Sequence, residues 1–330
     1  MTTGTVYVGV DIACASAQVA WLLEDGTTGQ QSIQQSPEGQ LALIRQLQQL
    51  APAEQTRVVM EATGNYWLAL ALALHEAGVE VSVLNPSQAK HFAKVCLKRA
   101  KSDPVDAALL AQFAQRMQPA RWNPPPAICA QLQQVLTRRQ QVVDMHTAEL
   151  NHLHALRHLP GALPSILTEV QDHLALLSAR INTLNQQLEQ LVSGQHEWHT
   201  AFRHLCSIPG VGTLGAATLL TATHCFARCE TPEQAAAFAG LVPYVRQSGS
   251  SLRAQAHIGG GEPHLRHVLY MCALAAVRCN PGLRLFYQRL LAQGKAKKVA
   301  LCAVARKLVH IAWALVVHDC DFDPAHRLPS

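Results

Sequence analysis

The sequence predicts a mixed α/β domain, then a helical arm, then a mostly α-helical C-terminal domain. Three observations carry that prediction. Short apolar runs alternate with helical spacing over about the first 117 residues. An unbroken 3,4 leucine seam runs through residues 167–191. Residues 127–195 contain almost no glycine and few β-branched residues, and residues 196–330 read as mostly helical.

Residues 5–12 (T-V-Y-V-G-V-D-I) read as a buried strand, with Tyr7, Gly9 and Asp11 on one face and Val6, Val8 and Val10 on the other. A second strand starts at Gln18, and Asp25-Gly26 reads as a hairpin turn into a polar third strand, Gln30–Gln35. Pro37–Leu50 has helical spacing, Thr56–Met60 is a strand ending at Glu61, and Tyr66–Ala77 is a helix stopped by Gly78. Val79–Leu84 is a fifth strand, and Ser87–Lys98 a further helix. The stretch Q-P-A-R-W-N-P-P-P from Gln118 reads as a stiff linker that closes a first domain, 1–126.

In the second predicted region, 127–195, Leu167, Val170, Leu174, Leu177, Ile181, Leu184, Leu188 and Leu191 follow at steps of 3 and 4. That seam predicts a coiled-coil oligomerisation arm, an antiparallel hairpin within one chain being the other arrangement it allows. His146, His152, His154 and His158 lack metal-ligand spacing and read as structural, as do His224, Cys225 and Cys229. The third region, 196–330, opens with L-C-S-I-P-G-V-G-T, which reads as a helix-hairpin-helix element. Gly210 and Gly212 there would let backbone N–H groups approach a phosphate, although a tight turn alone would want the same glycines.

The net charge of +5 is unevenly spread. Residues 201–330 hold 14 Lys+Arg against 6 Asp+Glu, and residues 1–200 hold 13 against 16. The basic C-terminal part suggests a polyanion partner, and Lys297 and Lys298, in G-K-A-K-K, are candidates for phosphate contact. No run of about 18 apolar residues is free of charge, so no membrane helix is expected. The N-terminus does not read as a signal peptide, and ten cysteines without a C-x-x-C pair suit reduced thiols in a cytosolic protein.

Two sets of residues point to chemistry. K-S-D-P-V-D-A puts Asp103 and Asp106 at a helix start. Asp103 makes a good N-cap with Pro104 at the first helical position, so these acids alone need be no more than a cap. Yet Asp11 and Glu61 each end a predicted strand, and the first and fourth strands can lie side by side. Four carboxylates meeting at one point would repel unless a cation lay between them, and hard oxygen donors suit Mg²⁺ or Mn²⁺. In Y-V-R-Q-S-G-S-S-L-R, Ser248 lies between Arg246 and Arg253, where a nucleophilic serine beside phosphate-binding arginines and a plain polar turn are both readable.

Together V-G-V-D (8–11), M-E-A-T-G (60–64), K-S-D-P-V-D-A (101–107), S-I-P-G-V-G (207–212), F-A-G-L-V-P (238–243) and Q-S-G-S-S-L-R (247–253) resemble the DEDD transposases of insertion-sequence family 110, relatives of the Piv-type DNA invertases. The resemblance implies a RuvC-like, RNase H-type first domain with Asp11, Glu61, Asp103 and Asp106 as metal acids, and Ser248 as the nucleophile. It implies cutting and joining of donor and target DNA through a covalent serine–DNA intermediate, with Mg²⁺ or Mn²⁺ as cofactor. Guidance would come from a structured non-coding bridge RNA. It also implies a homo-oligomer, a dimer of dimers in which acids of one subunit complete the serine site of another, working in the cytoplasm at the nucleoid and not at a membrane. After Arg253 the family pattern places a basic residue before Gly-Asn; this chain has H-I-G-G-G-E-P-H-L-R, with Glu262 in the turn and Arg266 retained. The other readings are a metal-dependent RuvC-type nuclease without a covalent step, a site-specific DNA invertase, and a non-catalytic nucleic-acid-binding module.

Overall fold

Three valines on one side of the first strand and a tyrosine, a glycine and an aspartate on the other make a strand buried differently on its two faces. The computed structural model describes residues 4–96, 103–244 and 257–324, with residues 103 and 104 described by their backbone alone. The chain falls into two compact units, Met1–Pro124 and Pro125–Ser330.

The first unit is a five-stranded sheet: β1 (Val6–Ile12), β2 (Ser16–Leu23), β3 (Thr28–Gln34), β4 (Thr56–Glu61) and β5 (Glu80–Leu84), in the order β3-β2-β1-β4-β5. β1, β2 and β3 form an antiparallel meander, while β4 runs parallel to β1 and β5 parallel to β4. The Asp25-Gly26 turn closes as expected, Asp25 accepting from the Thr27 N–H at 2.8 Å. Helices α1 (Pro37–Leu50) and α2 (Trp67–Glu76) cover one face. There Leu43, Leu47, Leu70 and Leu74 pack on Val6, Val8, Val10, Val58 and Met60. Helices α3 (Pro86–Val95) and α4 (Asp103–Met117) cover the other, where Phe92, Leu110 and Phe113 pack with Tyr7, Val59 and Leu84. Both faces are therefore apolar except at the strand ends, as βαβ crossovers require.

The predicted linker is no free spacer. Its Trp122 N–H donates to the Val81 carbonyl at 2.7 Å, and the Ser82 hydroxyl donates to the Pro119 carbonyl at 3.2 Å. The Trp122 indole stands edge-on to Trp67 at 5.5 Å. Prolines keep the segment extended, and an extended segment with a free N–H can cover the open edge of β5. The proline count predicted the stiffness and missed the docking.

In the second unit α5 (Ala127–Arg157) and α6 (Pro164–Ser193) form an antiparallel hairpin within the chain. Toward its tip Leu153, Val170 and Leu174 form a small core of their own. At its base Ile128, Leu132, Leu188 and Val192 join the core of the C-terminal helices. So the 3,4 seam is met, at both ends, by a partner in the same chain. The arm histidines serve the hairpin: His146 bonds Ser178 at 3.1 Å, and His152 and His173 both bond Glu149, at 3.0 and 3.2 Å.

The rest is α7 (His196–Cys206), α8 (Thr213–Thr223), α9 (Pro232–Phe238), a two-stranded ribbon of β6 (Pro243–Tyr244) and β7 (His257–Ile258), then α10 (Pro263–Cys279), α11 (Pro281–Ala292) and α12 (Lys297–Val317). The long apolar α12 reaches membrane-spanning length and a mean hydropathy of 1.8 over its best stretch, more than the charge-interrupted reading allowed. Half of that stretch is buried, with Val304, Leu308, Val309, Ile311 and Ala312 in the core. Its mid-helix Lys307 is accommodated on the Phe286 ring at 4.9 Å.

The chain after α12 is held back on α7. The buried His204 imidazole bonds Asp321 through Nδ1 at 2.7 Å and Asp319 through Nε2 at 3.0 Å, and the Phe322 N–H donates to Ser207 Oγ at 2.8 Å. Burial alone would lower the His204 pKa; the bonds to Asp319 and Asp321 outweigh it and raise the value above 6.5. A raised histidine pKa gives stability that is full below the unfolded value and lost as pH rises through the folded one. Hydrogen exchange at 319–322 is thus expected to speed up as pH climbs above the ordinary histidine value of 6.5, beyond the intrinsic base-catalysed trend. In His204→Gln that excess pH dependence should vanish; if it persists, another group holds the segment.

Candidate active site

The acids predicted at strand ends are where the sheet topology puts them. The β1–β4 ladder pairs Val10 with Met60, so Asp11 and Glu61 are the next residues of adjacent parallel strands. Both lie on the α4 face, by the alternation that sends Val10 and Met60 to the α1–α2 core. Each is half-buried.

What brings α4 to this edge is Gly9. A Cβ there would stand 2.0 Å from the Ala107 carbonyl oxygen, 2.3 Å from the Ala111 nitrogen and 2.7 Å from Leu110 Cβ. The helix backbone thus rests directly on the strand, at a point only glycine leaves open. Farther along, Leu110, Phe113 and Ala114 share a cluster with Tyr7. Because later helix residues meet earlier strand residues, α4 runs antiparallel to β1, and its first turn lies toward Asp11. Asp106, half-buried, is the residue before Ala107, and Asp103 opens the helix. Asp103 is the first described residue of the helix, and the residues before it, 97–102, lie outside the described residues.

In kind, these carboxylates suit a hard divalent cation. Among the described residues, no three Asp, Glu, His or Cys side chains are gathered as a metal-holding group. Asp11 and Glu61 therefore share one strand edge, and the side chain of Asp103 lies outside the described residues. His224, Cys225 and Cys229 are likewise not gathered; burial pushes the Cys225 thiol up to about 11.

Around the edge, two loops are tied together in a way the sequence did not reveal. The Gln35 side-chain amide donates to the carbonyls of Ala13, at 3.4 Å, and Tyr66, at 3.2 Å. The exposed Tyr66 hydroxyl interacts with the Cys14 thiol, and that hydrogen bond raises the tyrosine pKa. Tyr66 read only as a helix start. Its partners lie far away in sequence, so no local pattern could mark it.

Of the other predicted residues, Arg246, Ser248 and Arg253 lie outside the described residues. The residues flanking them are paired, Pro243 with Ile258 and Tyr244 with His257, and both strands of that ribbon are exposed. Glu262, the departure from the family pattern, works as a helix cap. Its carboxylate accepts from the N–H groups of His264 and Leu265 at the start of α10. The signal was present as an acid immediately before Pro263 and an apolar run. Arg266 donates from Nη1 to the Gly260 carbonyl at 2.7 Å, so part of its guanidinium holds its own loop.

The two hairpin glycines differ. Gly210 has φ +105° and packs on α10, where a Cβ would lie 2.5 Å from Ala276 Cα. Its requirement is packing. Gly212 is exposed, precedes α8 and has nothing within 4 Å of a built Cβ, so the N-terminus of α8 is open there. Lys297 and Lys298 are exposed in the first turn of α12, at the positive end of the helix dipole, where cations are unfavourable without an anion.

Comparison with known proteins decides the family. A sequence model of DEDD-type transposases from IS110 matches residues 8–164, and the model for transposases of the IS116/IS110/IS902 family matches residues 202–288. The chain belongs to the IS110 transposase family. The transposase is 29% identical over 325 residues to the pilin gene-inverting protein of Moraxella bovis, covering 96% of this chain and 97% of that protein. It is 27% identical over 301 residues to a probable family 20 transposase of Pseudomonas aeruginosa, covering 81% and 86% of the two chains. An IS110 insertion-element protein of Streptomyces coelicolor is 31% identical over 169 residues, 51% of this chain and 38% of that protein. Its enzyme class is that of a DNA transposase or recombinase.

Proposed function

We propose that this transposase cuts and rejoins donor and target DNA through a covalent ester at Ser248. Asp11, Glu61, Asp103 and Asp106 would hold Mg²⁺ or Mn²⁺, and a structured non-coding bridge RNA from its own element would select the sites. The observation that carries the reading is the shared edge: Asp11 and Glu61 end adjacent parallel strands, and α4 descends on Gly9 with its acids leading. The sheet order β3-β2-β1-β4-β5, with an antiparallel meander followed by parallel strands, supports a RuvC-like, RNase H-type first domain.

A divalent ion bound by these acids would supply charge stabilisation on phosphodiester oxygens. The chain's own part is the exchange of ester bonds. Ser248 Oγ forms a bond to phosphorus as the P–O bond to the departing strand breaks; the serine proton leaves and the departing oxygen ends protonated. Attack on the serine ester by a hydroxyl of the other duplex reverses the sequence, so the phosphodiester energy is kept and no nucleotide triphosphate is needed. Arg246, Arg253 and the free part of Arg266 would grip phosphate, and Gly212 and the α12 lysines would contact backbone.

In function we divide the protein into 1–126, the catalytic acid domain; 127–195, an arm for assembly into a dimer of dimers; and 196–330, the domain of the serine. The assembly would work in the bacterial cytoplasm at the nucleoid. The full-length similarity to pilin gene-inverting proteins favours a second reading, site-specific inversion, which uses the same bond chemistry on two sites of one DNA.

The test incubates the full chain with Mg²⁺, RNA transcribed from its flanking DNA, and labelled donor and target duplexes. Label that stays with protein after denaturation is the expected result. Cleavage without an adduct would leave a hydrolytic nuclease and sink the serine chemistry. Separately, Lys297→Ala with Lys298→Ala is expected to weaken DNA binding across all sequences and reduce the slope of log affinity against log salt by about 1 to 2. An unchanged slope would take these lysines off the DNA.

A further inference from the structure

Between Glu262 and Asp319 the chain carries neither Asp nor Glu, so α10, α11 and α12 hold cations without an acid of their own. Some of these cations are committed to the fold. Arg284 donates from Nε to the Val277 carbonyl at 3.2 Å and from Nη2 to the Arg278 carbonyl, tying α11 to the end of α10. Arg266 holds its own loop through the Gly260 carbonyl. Arg289 and Lys307 are different. Among the described residues, neither takes part in an ion pair.

Phe286 carries the argument. Arg289, one turn further along α11, lies 5.4 Å from the centre of the Phe286 ring, and Lys307 of α12 lies 4.9 Å from it. One cation on an aromatic ring is an ordinary structural contact, and Arg228 on Phe238 is such a case. A second cation on the same ring is harder to explain by packing, because the two charges repel while sharing one ring. The crowding falls on a side chain that is not fully solvated, since Lys307 is half-buried. Burial, and then Arg289, lower its pKa from the ordinary 10.5, and no carboxylate offsets them.

A site that gathers positive charge, has no acid of its own and leaves Arg289 exposed is complementary to an anion. Arginine offers a planar fork and lysine a point charge, and both suit phosphate oxygens. The ring holds the two side chains in place before the anion arrives, which lowers the ordering cost of binding. The polyanion on which a DNA transposase acts is DNA. We infer that Arg289 and Lys307, set on Phe286, clamp neighbouring phosphates of duplex DNA. The clamp is separate from Lys297 and Lys298 at the start of α12. It rests on the action of the family on DNA, and on neither the serine chemistry nor the RNA guidance.

Arg289→Gln combined with Lys307→Met removes both charges and keeps most of each side-chain stem. The full chain, without divalent metal so that no strand is cut, is titrated with a labelled DNA duplex of arbitrary sequence at several salt concentrations. The affinity of the double variant is expected to fall on the order of tenfold, and the slope of log affinity against log salt to shrink by about 2, one for each lost phosphate contact. The Tm of the free double variant is expected to rise, because two crowded like charges are gone. Lys307→Arg, which keeps the charge, should keep the wild-type slope. Unchanged affinity and slope in the double variant would overturn the clamp. A loss of affinity that comes with a lowered Tm would mark a structural role and overturn it too. So would weaker binding of an RNA hairpin by a variant that still binds the DNA duplex normally. The Ser248 adduct is read in a different assay, so either result stands without the other.

Discussion

Gly9→Ala is expected to abolish DNA strand cutting without touching an acid. The new methyl would be placed 2.0 Å from the Ala107 carbonyl oxygen and 2.3 Å from the Ala111 nitrogen. Both are backbone atoms, so no side-chain rotation relieves the clash, and α4 must lift from β1. Overpacking of this kind costs about 1–3 kcal/mol even where side chains can adjust. The functional loss should be larger than the loss of stability. Lifting α4 moves Asp106 and Asp103 away from Asp11 and Glu61, and a displacement of about 1 Å at a reacting centre costs on the order of 100-fold in rate. Urea denaturation should show a weakened but folded protein, and DNA binding through the second unit should survive. Cutting at the wild-type rate by a folded Gly9→Ala would mean that the edge facing α4 is not the reaction centre.

Ser248→Ala should remove strand exchange while leaving both folding and nucleic-acid binding intact. If the serine is the nucleophile, its loss leaves no oxygen to form the ester, and the rate should fall by on the order of 10⁴-fold or more. The covalent adduct should disappear with it. Asp11→Asn is the companion: it keeps the shape of the side chain and removes a charged donor, so cutting should fail while Ser248 stays available. Recombination by Ser248→Ala would eliminate the serine mechanism. An adduct formed at normal rate by Asp11→Asn would detach the acids from the chemistry.

The strands and helices of the first unit were legible because their signals are local. Alternation in V-Y-V-G-V-D, the Asp25-Gly26 turn and the stop at Gly78 each act within a few residues. The placement of Asp11 and Glu61 on one face followed from the same alternation. The second unit was less legible. The seam on α6 named its own apolar face but not the helix that would meet it, since any complementary stripe satisfies a leucine seam. The linker's docking through Trp122 and the bridging by Gln35 needed partners distant in the chain.

By itself the sequence determined the element types, the acids at two strand ends, the pair at a helix start, and the motifs that mark the IS110 family. Only the tertiary structure decided that α4 runs against β1 on a bare glycine, that Gly210 packs on α10 while Gly212 stays open, and that Glu262 is a cap. The difference is physical. Periodicity and turn chemistry are set by neighbours along the chain, whereas a close backbone crossing depends on which distant atoms the fold brings within a few ångströms.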